Sequence, residues 1–132
     1  MVCIYCGSHT RVANSRPQKR LRQTWRRRIC TKCGAVFTTN EVIDLSTSVA
    51  VRKADGRLSP FDRDILFMSV YKAVGHREHP ISDAAALTST ITSKLLDGTE
   101  AAVKPQDIAQ TTLDVLKHFD KAAAVQYAAY HQ

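Results

Sequence analysis

The sequence predicts an α+β protein in two parts: a small β module carrying four cysteines, then a mostly helical domain that opens on a β-hairpin. Three observations carry this expectation. All four cysteines fall in two C-x-x-C pairs, Cys3/Cys6 and Cys30/Cys33. The basic charge is confined to the same stretch: residues 1–40 hold nine Lys or Arg and no acid, whereas 41–132 hold ten against twelve acids, so a +9 segment precedes one of −2. Past residue 59 the apolar spacing turns helical, with proline, serine and aspartate at helix starts and glycine beyond helix ends.

A C-x-x-C turn sets two thiolates one metal-ligand bite apart, and two such turns close a tetrahedral shell. Each pair is followed by a glycine, Gly7 and Gly34, which suits a tight knuckle. Cys3, Cys6, Cys30 and Cys33 are therefore the expected ligands of one structural Zn2+. A disulfide framework belongs to small secreted domains, and no signal-peptide pattern stands here; a redox C-x-x-C stands alone near a βαβ unit. Four thiolates leave no open position for zinc catalysis, and His9 reads as an exposed loop histidine. About forty residues bury too little apolar surface to fold alone, so metal supplies the stability. Four thiolates held for metal imply a reducing cytosol, and no run of 18 or more apolar residues suggests a membrane span.

The loop between the pairs carries Arg11, Arg16, Lys19, Arg20, Arg22 and the triplet Arg26-Arg27-Arg28. An acid-free, arginine-rich module on a metal base points to nucleic acid as partner. Arg11-Val12-Ala13 and Thr24 to Ile29 read as strands, interrupted by Asn14-Ser15-Arg16-Pro17, because Pro17 disfavours helix before it. Trp25 is expected to pack beneath the sheet in preference to stacking on a base. Ala35 to Thr39 is the next strand, with Val36 and Phe37 offered to a small core.

Composition shifts near Glu41, and the domains are drawn as 1–45 and 46–132. Val49 to Lys53 has strand character, and Ala54-Asp55-Gly56 turns it back into Arg57-Leu58. A first helix is expected with Ser59 as N-cap, Pro60 at its first position and Asp62 completing a capping box. Its apolar face would hold Phe61, Ile65, Leu66 and Met68, and it ends near Val74-Gly75. A second starts after Ser82 and buries Leu87, Ile91 and Leu95, with Gly98 as the stop. A third starts at Pro105 and turns Ile108, Thr112, Leu113 and Leu116 inward. A fourth, Lys121 to Tyr130, packs through Val125, Ala128 and Ala129. No nucleophile elbow, paired-carboxylate or H-E-x-x-H pattern occurs, and no enzyme is expected.

The motif order resembles the NrdR family, bacterial repressors of ribonucleotide reductase genes. The resemblance runs through C-x-x-C-G, Arg11-Val12, Ser15-Arg16, the arginine triplet, the second C-x-x-C-G and Phe37-Thr38-Thr39. It continues through Val51, Asp55-Gly56-Arg57 and Pro60-Phe61-Asp62-Arg63. It implies a zinc ribbon joined to an ATP-cone whose occupancy by ATP or dATP alters the homo-oligomer and its access to operator sites on double-stranded DNA. It also implies a cytoplasmic, nucleoid-associated protein. The DNA contacts would be Arg11, Arg16, Arg26, Arg27 and Arg28, and the nucleotide residues Val51, Arg52, Lys53, Asp55, Gly56 and Arg57. The chain departs from the family pattern at Ala54, Ser59 and Ile65, where an arginine, an acid and a lysine are usual, and at Asn40, where an aromatic residue is common. Lys53, Arg52 and Arg57 offer compensating charge. The alternatives are a zinc-ribbon protein whose cone only oligomerises, and a regulatory subunit of a reductase. The chain stops at Gln132, short of the tail usual in the family, which bears on assembly.

Overall fold

The computed structural model describes residues 1–98 and 101–131; Thr99, Glu100 and Gln132, the chain end among them, lie outside the described residues. The chain divides into two compact units, Met1–Ile43 and Asp44–Gln132.

The first unit is an antiparallel sheet in the order β1-β2-β3. Strand β1 (Thr10–Gln18) turns through a 3-10 segment, Lys19–Leu21, into β2 (Gln23–Cys30), and β3 (Val36–Glu41) completes the sheet. Arg22 closes the turn in the left-handed region at φ 52°. Strand β1 runs unbroken through Asn14-Ser15-Arg16-Pro17, where the sequence implied an interruption. It is an edge strand, so a proline without an N–H is tolerated in it. The buried core is small: Cys3, Cys30 and Phe37, with Ala35 against them. Val36, expected in that core, points away and is 48% exposed. So few buried groups leave the cysteine site to hold the unit together.

In the second unit a short helix α1 (Leu45–Ser48), capped by Asp44, leads into a hairpin of β4 (Ala50–Arg52) and β5 (Leu58–Pro60). A two-residue strand β6 (Ala102–Val103), not anticipated, pairs in parallel with β4, giving the order β5-β4-β6. Helices α2 (Arg63–Ala73), α3 (Pro80–Leu96), α4 (Pro105–Phe119) and α5 (Lys121–Tyr130) form the body. Asp62, not Ser59, is the N-cap of α2; its carboxylate accepts from the N–H groups of Asp64 and Ile65, while Ser59 and Pro60 belong to β5. The buried face of α2 is Leu66, Val70 and Ala73, whereas Ile65 and Met68 face outward. Helix α3 begins earlier than expected, at Pro80, because a proline at the first position costs no hydrogen bond. In α5 the packed residues are Ala123, Ala124 and Tyr127, and Val125 is exposed, one residue out of the anticipated phase. Ile91 and Leu116 are fully buried at the centre. Thr88 and Thr112 share that interior because their hydroxyls donate to Ala84 and Ile108 carbonyls one turn back, each at 2.7 Å.

Candidate functional site

The two knuckles are built alike. Gly7 and Gly34 adopt φ 75° and 73°, and each donates its N–H to the carbonyl of the first cysteine of its pair, Cys3 and Cys30. That turn curls each C-x-x-C around a common point. The four sulfurs lie within 4.8 Å of one another, with Cys3–Cys33 at 3.7 Å and Cys6–Cys30 at 3.5 Å. These separations are far longer than an S–S bond, and all four thiols are free. They match the ~3.8 Å edge of a tetrahedron built on ~2.3 Å zinc–sulfur bonds.

Electrostatics agree with a cation site. The N–H of Cys33, and then that of Lys32, lower the Cys30 thiol to about 6. At Cys33 the Ala35 N–H favours the thiolate, but the neighbouring Cys30 thiol and burial outweigh it and push the group up to about 11. Sulfurs this close compete for negative charge, and a bound divalent cation removes the competition.

Register places the arginines. Across β1 and β2, Arg16 faces Trp25, Asn14 faces Arg27, Val12 faces Arg28 and Arg11 faces Ile29, with Ala13 left out as a bulge. Residues opposite one another share a face and neighbours along a strand alternate. One face therefore carries Arg11, Asn14, Arg16, Trp25 and Arg27. The other carries Arg26 and Arg28 beside Cys30 and Phe37. Arg26 is bound to Glu41 at 2.6 Å. Arg28 is half-buried; its Nη1 donates to the Thr10 hydroxyl at 3.2 Å, and its Nε is buried without a partner. Arg11, Arg16 and Arg27 are exposed. Trp25, expected beneath the sheet, is half-buried on the face opposite Phe37, with the Arg16 guanidinium 5.8 Å from its ring centre.

In the second unit Gly56, at φ 85°, closes the hairpin turn, and the Arg57 side chain is held by Asp55 at 2.5 Å. The Arg57 N–H and guanidinium keep the Asp55 carboxyl below its ordinary value. A cavity of about 380 Å3 is walled by the hairpin, the start of α2, and α4 and α5, with Val51, Lys53, Ser59, Ile65, Tyr127 and His131 among its residues. Of the six expected nucleotide residues, Val51 and Lys53 line it; Arg52, Asp55, Gly56 and Arg57 do not. Tyr127 and His131, which sequence reasoning missed, stack at 4.0 Å. Burial raises the Tyr127 hydroxyl pKa.

Residues 1–41 match the model of the N-terminal domain of NrdR-like transcriptional repressors, and 49–132 match the ATP-cone domain. The chain is 33% identical to the transcriptional repressor NrdR of Symbiobacterium thermophilum, over its full length and 87% of that protein. It is 37% identical to the NrdR of a Methylobacterium species over 71% of that protein, and 35% to that of Brucella ovis over 84%. The chain belongs to the NrdR family. Its α+β architecture is a ribbon followed by an ATP-cone. Two departures from the NrdR pattern, Ser59 and Ile65, fall on the cavity wall, and Ala54 stands exposed in the hairpin turn. No helix among the described residues is long and apolar enough to cross a membrane.

Proposed function

We propose that this protein is a transcriptional repressor that binds operator sites in the promoters of ribonucleotide reductase genes. In this reading DNA binding belongs to residues 1–45, and nucleotide sensing and oligomerisation to residues 46–132. Cys3, Cys6, Cys30 and Cys33 hold one Zn2+, which fixes the sheet that carries the arginines. ATP or dATP enters the cavity beside Val51 and Lys53, and the nucleotide bound selects the oligomer. The protein acts in the cytoplasm, at the nucleoid. The observation that carries the reading is the convergence of four sulfurs within 4.8 Å at one end of an arginine-bearing sheet, in a chain whose relatives are named repressors.

The test is fluorescence anisotropy with a duplex spanning a ribonucleotide reductase promoter, with ATP or dATP added, alongside native mass measurement. Salt-sensitive binding that differs between the nucleotides, with a matching change in mass, is expected. A second reading, in which the cone only oligomerises, is favoured by the cavity itself: Lys53 is its one Lys or Arg among the described residues, because Arg57 is drawn to Asp55 in the turn. Calorimetry separates the two. Absence of heat with both nucleotides, in a protein that still binds the promoter, selects the second.

A further inference from the structure

We infer that the ribbon meets duplex DNA through one face of its sheet only, carried by Arg11, Arg16 and Arg27. Arg26 and Arg28, although they belong to the same triplet, hold the ribbon together from the other side. The inference rests on the DNA-binding reading above and divides its arginines.

Arg11 and Arg16 are five residues apart, and strict alternation along a strand sends such a pair to opposite faces. The bulge at Ala13 takes one residue out of the ladder, so both emerge on the face of Arg27. Arg16, Arg27 and Arg11 then stand at the levels of Trp25, Arg27 and Ile29, steps of roughly 7 Å along β2 and about 13 Å in all. The β1–β2 pair at the edge of this three-stranded sheet presents these side chains toward a major groove about 12 Å wide, where arginine reads guanine and an asparagine such as Asn14 reads adenine. Among the described residues the side chains of Arg11 and Arg27 make no hydrogen bond or ion pair, and the Arg16 guanidinium meets only the Trp25 ring. Their charges are uncompensated by acids, which suits a polyanion.

The opposite face is already engaged. Arg26 is neutralised by Glu41, closing the β2–β3 end of the sheet. Arg28 is tied to Thr10 beside the buried Cys3, Cys30 and Phe37, with Phe37 its cross-strand partner. Withdrawing either guanidinium for DNA would break its bond, to Glu41 for Arg26 and to Thr10 for Arg28.

The experiment measures affinity and salt slope for the zinc-loaded full chain on the promoter duplex, an unrelated duplex of equal length, and an RNA of the same sequence. R11Q, R16Q and R27Q are each expected to weaken promoter binding about fivefold or more where the arginine reads a base. Where it neutralises a phosphate instead, its removal lowers the salt slope by roughly 0.9. R26Q and Glu41→Gln, both with zinc content at the wild-type level, are expected to keep the wild-type affinity and slope. A loss in R26Q equal to that in R11Q, or a gain on freeing Arg26 in Glu41→Gln, overturns the division. Tighter binding to the RNA than to either duplex overturns duplex DNA as the occupant. A wild-type protein that binds neither duplex is a different failure, that of the repressor reading itself.

Discussion

Asp120 ends α4, begins α5 and joins both to the turn that follows α2. One carboxylate oxygen caps α5 through the Ala123 N–H at 3.1 Å; the other meets His76 Nε2 at 3.0 Å and Arg77 Nη1 at 2.9 Å. Arg77 extends the joint to Asp83 of α3 at 2.7 Å and lies 4.3 Å over the Phe119 ring. The Ala123 N–H first, then His76 and Arg77, hold the Asp120 carboxyl well below its ordinary 3.8. A depressed carboxyl stabilises the fold above its unfolded value and loses that contribution as pH falls through the folded one. Urea unfolding of the cone is therefore expected to show a midpoint falling steeply below about pH 4. Asp120→Asn, which keeps an acceptor for the cap but not the charge, starts lower at pH 7 and falls less. Parallel curves for the two proteins would rule out Asp120 as the source of the pH dependence. His76 and Asp120 are 44 residues apart, so the sequence offers His76 only as a helix-end residue.

Among the elements, α2 shows how local signals compete. Ser59-Pro60 and Asp62 are both acceptable helix starts, and the chain uses Asp62 because Ser59 is already committed to the β4–β5 ladder opposite Val51. Asp62→Ala is expected to lower cone stability by about 1 kcal/mol, while Asp62→Asn, an equally good cap, holds it within a few tenths. Because Asp62 also lines the cavity, Asp62→Asn removes a negative charge near a bound phosphate chain and is expected to tighten nucleotide binding. Chemical denaturation and calorimetry on the same two variants read both effects. The helices themselves were legible: α4 follows from Pro105 and its apolar spacing, α5 from the alanine-rich run after Asp120, and α3 from its apolar spacing, although it starts at Pro80 and not after Ser82. Phase was less so: in α2 and α5 the exposed Ile65, Met68 and Val125 are as apolar as the buried Leu66 and Val70. Strand β6 is two residues long, too short for any periodic signal, and exists because Ala50 and Val51 offer it a free edge.

For the whole molecule, the two units draw stability from different sources. The cone has a buried apolar cluster running from Val49 to Tyr127, whereas among the described residues the ribbon's apolar cluster is Cys3, Cys30 and Phe37. Chelation with EDTA is expected to melt the ribbon and abolish DNA binding while the helical signal of the cone persists, a separation visible by comparing far-ultraviolet dichroism with tryptophan emission from Trp25. Loss of both together would mean that the ribbon's metal also supports the cone. The sequence by itself determined the four-cysteine frame, the basic segment and the succession of a small β module and a helical domain. These follow from spacing, charge count and local propensity, which act between residues near one another along the chain. Only the tertiary structure decided which arginines share a face, because one unpaired residue, Ala13, resets the alternation. Only it brought Tyr127 and His131 to the hairpin's cavity, since contacts across some seventy residues depend on how the helices pack. The cysteine frame was thus readable from the sequence; the face it displays was set by the register between β1 and β2.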